Sequence, residues 1–154
     1  MMRVYLMRHG QPLSAIENLE RPLSDLGKND VEKIAEFLYK AGVKIDQALH
    51  SGKARARQTA AIMASRLNPK LELQESPGLG PLDDVTGIAN QIKEAKKDML
   101  IAGHMPHLGK LVSFLIVGNQ LAPVVNFQQG GVVCLEKDEI DRWSVVWILV
   151  PDIM

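Results

Sequence analysis

Short runs of Val, Leu, Ile and Ala alternate along the chain with stretches whose apolar residues recur every three or four positions. Arg3 to Met7 reads as a strand ended by the turn residues Gly10 and Pro12. Leu13 to Pro22 has no sustained period. Ser24 then offers an N-cap to a helix whose inner face is Val31, Ile34, Ala35 and Leu38, with Gly42 as its stop. Ile45 to His50 predicts a second strand, and after Ser51 and Gly52 the alanines, Gln58, Met63 and Arg66 favour a helix over Ala54 to Leu67, closed by Pro69. Leu71 to Gln74 alternates as a short strand, Gly78, Gly80 and Pro81 mark a loop, and a helix is expected from about Val85 to Ala95. Met99 to Ala102 is a compact strand ending at Gly103 and His104, and Pro106 opens a helix containing Leu108, Leu111, Val112, Leu115 and Ile116. Gly131 to Leu135 and Trp143 to Val150 read as a hairpin around the charged turn Glu136 to Asp141.

Strands alternating with helices predict an α/β fold: a mostly parallel central sheet covered by helices on both faces and finished by an antiparallel pair. A chain of 154 residues holds one compact core, so a single domain over residues 1–154 is expected. In such sheets ligands bind beyond the C-terminal ends of the strands. Three of those ends carry polar groups with no evident folding purpose: Arg8 with His9, His50 with Ser51 leading to Arg55, and His104. They could share one pocket.

Charge narrows the partners. Lys plus Arg and Asp plus Glu are 18 each, so no global basic field exists to hold nucleic acid or an anionic membrane, and an anion site must be a local concentration of cations. The N-terminal apolar run leads directly into Arg8 and His9 rather than into a small-residue cleavage site, and no stretch approaches the roughly 20 apolar residues of a membrane span. Cys134 is the single cysteine, which excludes an internal disulfide and a cysteine cage and fits a reducing, cytoplasmic setting; a buried thiol on a strand is the expectation. The four histidines are too scattered for a metal set, so no metal and no cofactor are expected. Trp143 and Trp147, four apart on a strand, are expected on one face, and His107, in a helix's first turn, at the surface. His50, before a turn, is expected to have no catalytic role.

A phosphoryl group spreads negative charge over several oxygens, so a site that transfers it needs fixed donors more than covalent machinery, and arginine's planar fork suits that task. A neutral imidazole nitrogen can attack phosphorus and split the transfer into two displacements, and flanking arginines favour the neutral ring.

The residues at these positions resemble a known pattern. Leu6-Met7-Arg8-His9-Gly10, then Arg21-Pro22-Leu23-Ser24 with Gly27, then Ser51 to Thr59, then Ile101 to Pro106 resemble, in order, the motif blocks of the histidine phosphatase, or phosphoglycerate mutase-like, superfamily. The short chain is most similar to its SixA branch of phosphohistidine phosphatases, which act on histidine-containing phosphotransfer domains. The resemblance implies that His9 is the nucleophile, that Arg8 and Arg55 bind phosphate oxygens, that His104 hydrogen-bonds the same group, and that Arg21 lies at the pocket's edge. Residues two apart on a helix point about 200° apart, so only one of Arg55 and Arg57 should face the pocket. The family pattern places Arg55 there and leaves Arg57 to solvent.

Members of the family that cleave phosphate monoesters usually carry an acidic proton donor in the middle loop. Here Gly78 to Asp84 contains no glutamate, Glu75 lies upstream, and Asp83 and Asp84 are the candidates, although helix N-terminal carboxylates are their simplest reading. A protonated imidazole leaves phosphorus more easily than an alkoxide, so the loop favours a phosphohistidine substrate on a signalling protein. The alternatives are a small-molecule phosphomonoesterase with Asp83 or Asp84 as donor, and a phosphate-binding adaptor that does not turn over. Mutase activity is weaker still, because the chain lacks the long insertions of the dedicated mutases.

Overall fold

The computed structural model describes residues 1–154. Six strands, β1 (Arg3–Arg8), β2 (Gln47–His50), β3 (Gln74–Glu75), β4 (Met99–Gly103), β5 (Val132–Lys137) and β6 (Trp143–Leu149), form one sheet in the order β3-β2-β4-β1-β5-β6. The pairs β3–β2, β2–β4 and β4–β1 are parallel, and β5 runs antiparallel to both β1 and β6. The four helices are α1 (Asp25–Lys40), α2 (Ala54–Leu67), α3 (Thr86–Glu94) and α4 (His107–Val117). No helix is long and apolar enough to cross a membrane.

Successive residues of a strand point to opposite faces, and the central strands bury both. Val4, Leu6, Leu49, Met99 and Ile101 pack against Ile88 and Ile92 of α3 and Leu108, Leu111 and Val112 of α4. Tyr5, Met7, Ala48 and Leu100 pack against Val31 and Ile34 of α1 and Met63 and Ala64 of α2 on the other face. Ser24 caps α1 as its sequence signal predicts: its Oγ accepts the Gly27 N–H at 3.0 Å, and Gly42 follows the helix end at φ +82°.

Three expectations are corrected. The third strand is Gln74–Glu75, not Leu71 to Gln74: only these two residues pair with β2, at Leu49 and His50. The alternation of Leu71 and Leu73 serves packing instead, both leaning on the α1–α2 side of the core. Trp143 and Trp147 lie on opposite faces. Cys134 pairs with Trp147 and Leu135 with Val145, so Val146 is an extra residue, and this β-bulge reverses the alternation. Trp143 joins the α3–α4 side, while Trp147 stands 5.9 Å from the Tyr5 ring on the other. His107 is fully buried rather than at the surface, because the segment 78–84 lies close to the first turn of α4, near enough for Asp83 and Asp84 to act on its ring electrostatically.

Candidate active site

The strand order sets β2, β4 and β1 side by side, so the turns that follow them meet at one edge of the sheet. The backbone N–H of His9 donates to the Gly103 carbonyl at 3.0 Å, joining the β1 turn to the β4 turn. From the other flank, the Gly130 N–H donates to the carbonyls of Arg8 at 3.0 Å and His9 at 3.1 Å. Gly10 permits the close approach of α1: a Cβ there would lie 2.9 Å from the Gly27 carbonyl oxygen and 2.9 Å from Val31 Cγ2. Gly27 in turn passes against the Gln11 backbone with no room for a side chain.

Thr59 ties this turn to α2. Its Oγ1 accepts the Gly10 N–H at 3.1 Å and donates to the Arg55 carbonyl at 2.8 Å, so the first turn of α2, which carries Arg55, is held in register with the β1 turn. The sequence alone assigns Thr59 no role, although it closes the block that starts at Ser51.

His9 and His104 are thereby brought together, with ring centroids 5.0 Å apart and planes at 54°. His9 Nδ1 lies 2.7 Å from the Gly10 carbonyl oxygen, which can only accept, so Nδ1 carries the hydrogen and the Nε2 lone pair is free. Burial pushes the His9 pKa down to about 4; the Gly10 carbonyl opposes this, and Arg55, Arg8 and Arg21 add to it. His104 is pushed down to about 3 by burial, with His9, Arg55, Lys53 and His107 contributing. Both rings are neutral at pH 7. Ser51 Oγ and His104 Nε2 share a hydrogen bond of 2.6 Å across the ends of β2 and β4, a contact that sequence reasoning did not anticipate.

Cations converge on the pair without counter-charges. Arg8 donates from Nη1 to the Phe127 carbonyl at 3.0 Å, and burial lowers its pKa. Arg55 is lowered by burial and by Arg21. Arg21 itself adopts φ +48° and donates from Nε to the Leu13 carbonyl at 3.2 Å. None of Arg8, Arg21, Lys53 and Arg55 takes part in any ion pair of the chain. Arg8 Nε and His104 Nδ1 are shielded from solvent without a hydrogen-bond partner within the protein, as are both ring nitrogens of His107. Cations gathered without counter-charges repel one another, and an anion with several oxygens is the ligand that Arg8, Arg21, Lys53 and Arg55 would satisfy together.

Gly52, Lys53 and Arg55 form the wall common to two depressions. One, about 660 Å³, is walled by Ser51, Lys53, Glu75 and the segment Ser76–Asp83, and the other, about 410 Å³, by Leu19, Arg21 and Arg57. The two aspartates are separated by the fold: Asp83 lines the larger cavity and its Oδ2 accepts the Gly80 N–H at 2.8 Å, whereas Asp84 Oδ1 accepts the Thr86 N–H at 2.6 Å at the start of α3. Glu75, upstream in sequence, lines the same cavity as Asp83. Arg57 is exposed, and His50 is buried where its Nδ1 accepts the Gly52 N–H at 3.0 Å to shape the turn. Cys134 is buried within the sheet, its thiol pushed up to about 11 by burial.

Residues 4–107 match the profile of the histidine phosphatase superfamily (branch 1). The phosphohistidine phosphatase SixA of Escherichia coli K12 is 28% identical over 155 residues, covering 97% of this chain and 94% of the relative. A solved structure of the protein histidine phosphatase SixA complexed with tungstate superposes with a TM-score of 0.86 at 28% identity, covering 98% of both chains. A mycobacterial glucosyl-3-phosphoglycerate phosphatase complexed with VO3 shares the fold at a TM-score of 0.69 and 17% identity, covering 96% of this chain and 99% of the other.

Proposed function

This chain belongs to the histidine phosphatase superfamily, in its SixA branch, and from that premise we propose that it hydrolyses phosphohistidine on a signalling protein through a phosphoryl-enzyme intermediate on His9. The family makes it a phosphatase. The observation that carries it is the buried, neutral His9, held by the Gly10 carbonyl with Nε2 free, amid arginines that no carboxylate neutralises. The tungstate bound by the related SixA structure supports an oxyanion at such a site.

In the first step His9 Nε2 forms a bond to phosphorus while the P–N bond of the substrate breaks, and the departing imidazole takes a proton. Arg8, Arg55 and His104 hold the phosphoryl oxygens, with Arg21 at the edge. His104 meets that group through Nε2, which stands 2.6 Å from the Oγ of Ser51 in the cavity wall and donates when it carries the hydrogen. In the second step water attacks phosphorus, inorganic phosphate leaves and His9 is regenerated. Residues 1–154 act as one domain in this scheme, and no metal or cofactor takes part. Asp83 is the better placed of the two aspartates to handle the transferred proton, because it lines the cavity, as Glu75 also does, and Asp84 does not.

The decisive experiment compares phosphate release from a phosphohistidine-bearing phosphotransfer domain with release from a small phosphate monoester at equal concentration. The phosphoprotein is expected to be the better substrate, and preference for the monoester would move the substrate to small-molecule metabolism. The pH profile gives a second expected result. Since the neutral His9 attacks and its pKa is about 4, kcat/KM corrected for uncatalysed hydrolysis stays level as the pH falls from neutrality and drops only near 4. An acid limb near the ordinary histidine value of 6.5 would contradict the buried, arginine-flanked nucleophile.

A further inference from the structure

The three aliphatic side chains that stand most fully in water are Ile16 (99% exposed), Leu19 (90%) and Leu82 (86%). Single exposed leucines are ordinary features of a surface. These three, however, lie in the segments after β1 and after β3, at the edge of the sheet where the phosphoryl site is built. Leu19 lines the depression on one side of Arg55, and Leu82 lines the cavity on the other. Lys53 and Arg57, both exposed and without ion-pair partners, stand beside them, Lys53 in both walls and Arg57 in that of Leu19, where with Arg21 and Arg55 they outnumber the single carboxylate of Glu20.

The phosphoryl site is recessed behind this rim, since His9 and His104 are both buried. A substrate must therefore present its phosphoryl group on a protruding side chain. A small molecule is ordinarily enclosed by its pocket over most of its surface. Leucines standing nearly free in solvent on two separate loops enclose nothing, and only a broad surface that spans both depressions can cover them together. The unpaired cations beside them suit a partner that carries carboxylates around its phosphorylated residue.

We propose that Leu19 and Leu82 are apolar anchors that seat a phosphohistidine-bearing protein astride Arg55, one on each side of the phosphoryl site, with Lys53 and Arg57 opposite carboxylates of that partner. The inference rests on the phosphoprotein reading above and adds the surface that would select the partner.

The test replaces Leu19 and Leu82 by aspartate, singly and together, and measures turnover of a phosphohistidine-bearing phosphotransfer domain beside that of phosphoramidate, a small P–N substrate. Each single change is expected to raise KM for the phosphoprotein on the order of 10-fold, from the loss of one buried leucine, with kcat unchanged. Phosphoramidate turnover stays within about twofold, because neither leucine touches the reacting atoms. The double variant with an unchanged KM for the phosphoprotein overturns the anchors, and so does equal loss on both substrates. Wild-type binding to anionic phospholipid vesicles that the double variant loses would assign the leucines to a membrane and overturns them as well. The parent reading fails separately, if the wild type itself prefers a monoester to both P–N substrates.

Discussion

Alanine at position 9 is expected to lower phosphate release from the phosphoprotein by a factor on the order of 10⁴ or more and to abolish acid-labile phosphate on the enzyme, because removing a nucleophile removes the covalent route altogether. No neighbour can replace it. His104 is engaged through Nε2 by Ser51, and the buried Cys134 thiol lies at about 11. What survives is the modest rate that an anion-binding pocket gives to attacking water. His9→Asn tests whether folding is at fault, since its amide can still donate to the Gly10 carbonyl now held by Nδ1. Rapid-quench labelling with ³²P decides the matter: turnover near wild type in His9→Ala would dismiss the phosphoenzyme.

The second large effect is expected at Arg55. With Lys53 it lines both depressions, it lowers the pKa of both His9 and His104, and its backbone is fixed to the β1 turn through Thr59. Losing a preorganised donor to a transferring phosphoryl group costs on the order of 10²–10³ in kcat. Arg55→Lys should recover part of this, as a point charge without the planar fork. A shift of the pH profile accompanies the loss. Arg55 lowers the pKa of His9, so removing it raises that pKa, and the acid limb moves to higher pH. Arg55→Ala at full activity would dismiss the assignment.

The strand-to-helix junctions were legible because each combined a change of hydrophobic period with Gly, Pro or Ser punctuation, and the helix over Ala54–Leu67 runs as read. The gathering of Arg8, His9, Ser51, Arg55 and His104 was legible for a related reason: polar residues at strand C-termini in a parallel sheet are delivered to one edge. Features that depend on a second element were hidden. Thr59 bridges Gly10 and Arg55 only once α2 packs beside β1. His107 reads as a surface residue until the 78–84 segment comes close to it, and the division between Asp83 and Asp84 depends on where α3 begins. Chain spacing also could not show that Glu75 shares a wall with Asp83, because their proximity is set by how the loop closes around the cavity.

The extra residue at Val146 also divides the light that the protein emits. Since the bulge sends Trp143 into the layer beneath α3 and α4 and leaves Trp147 half-buried beside Tyr5 on the α1 and α2 side, each layer carries its own chromophore. Trp147→Phe isolates an indole in apolar surroundings, with fluorescence at shorter wavelength, and Trp143→Phe isolates a partly hydrated one at longer wavelength. Loosening of either helical layer can then be followed by colour alone, with the opposite layer serving as its internal reference.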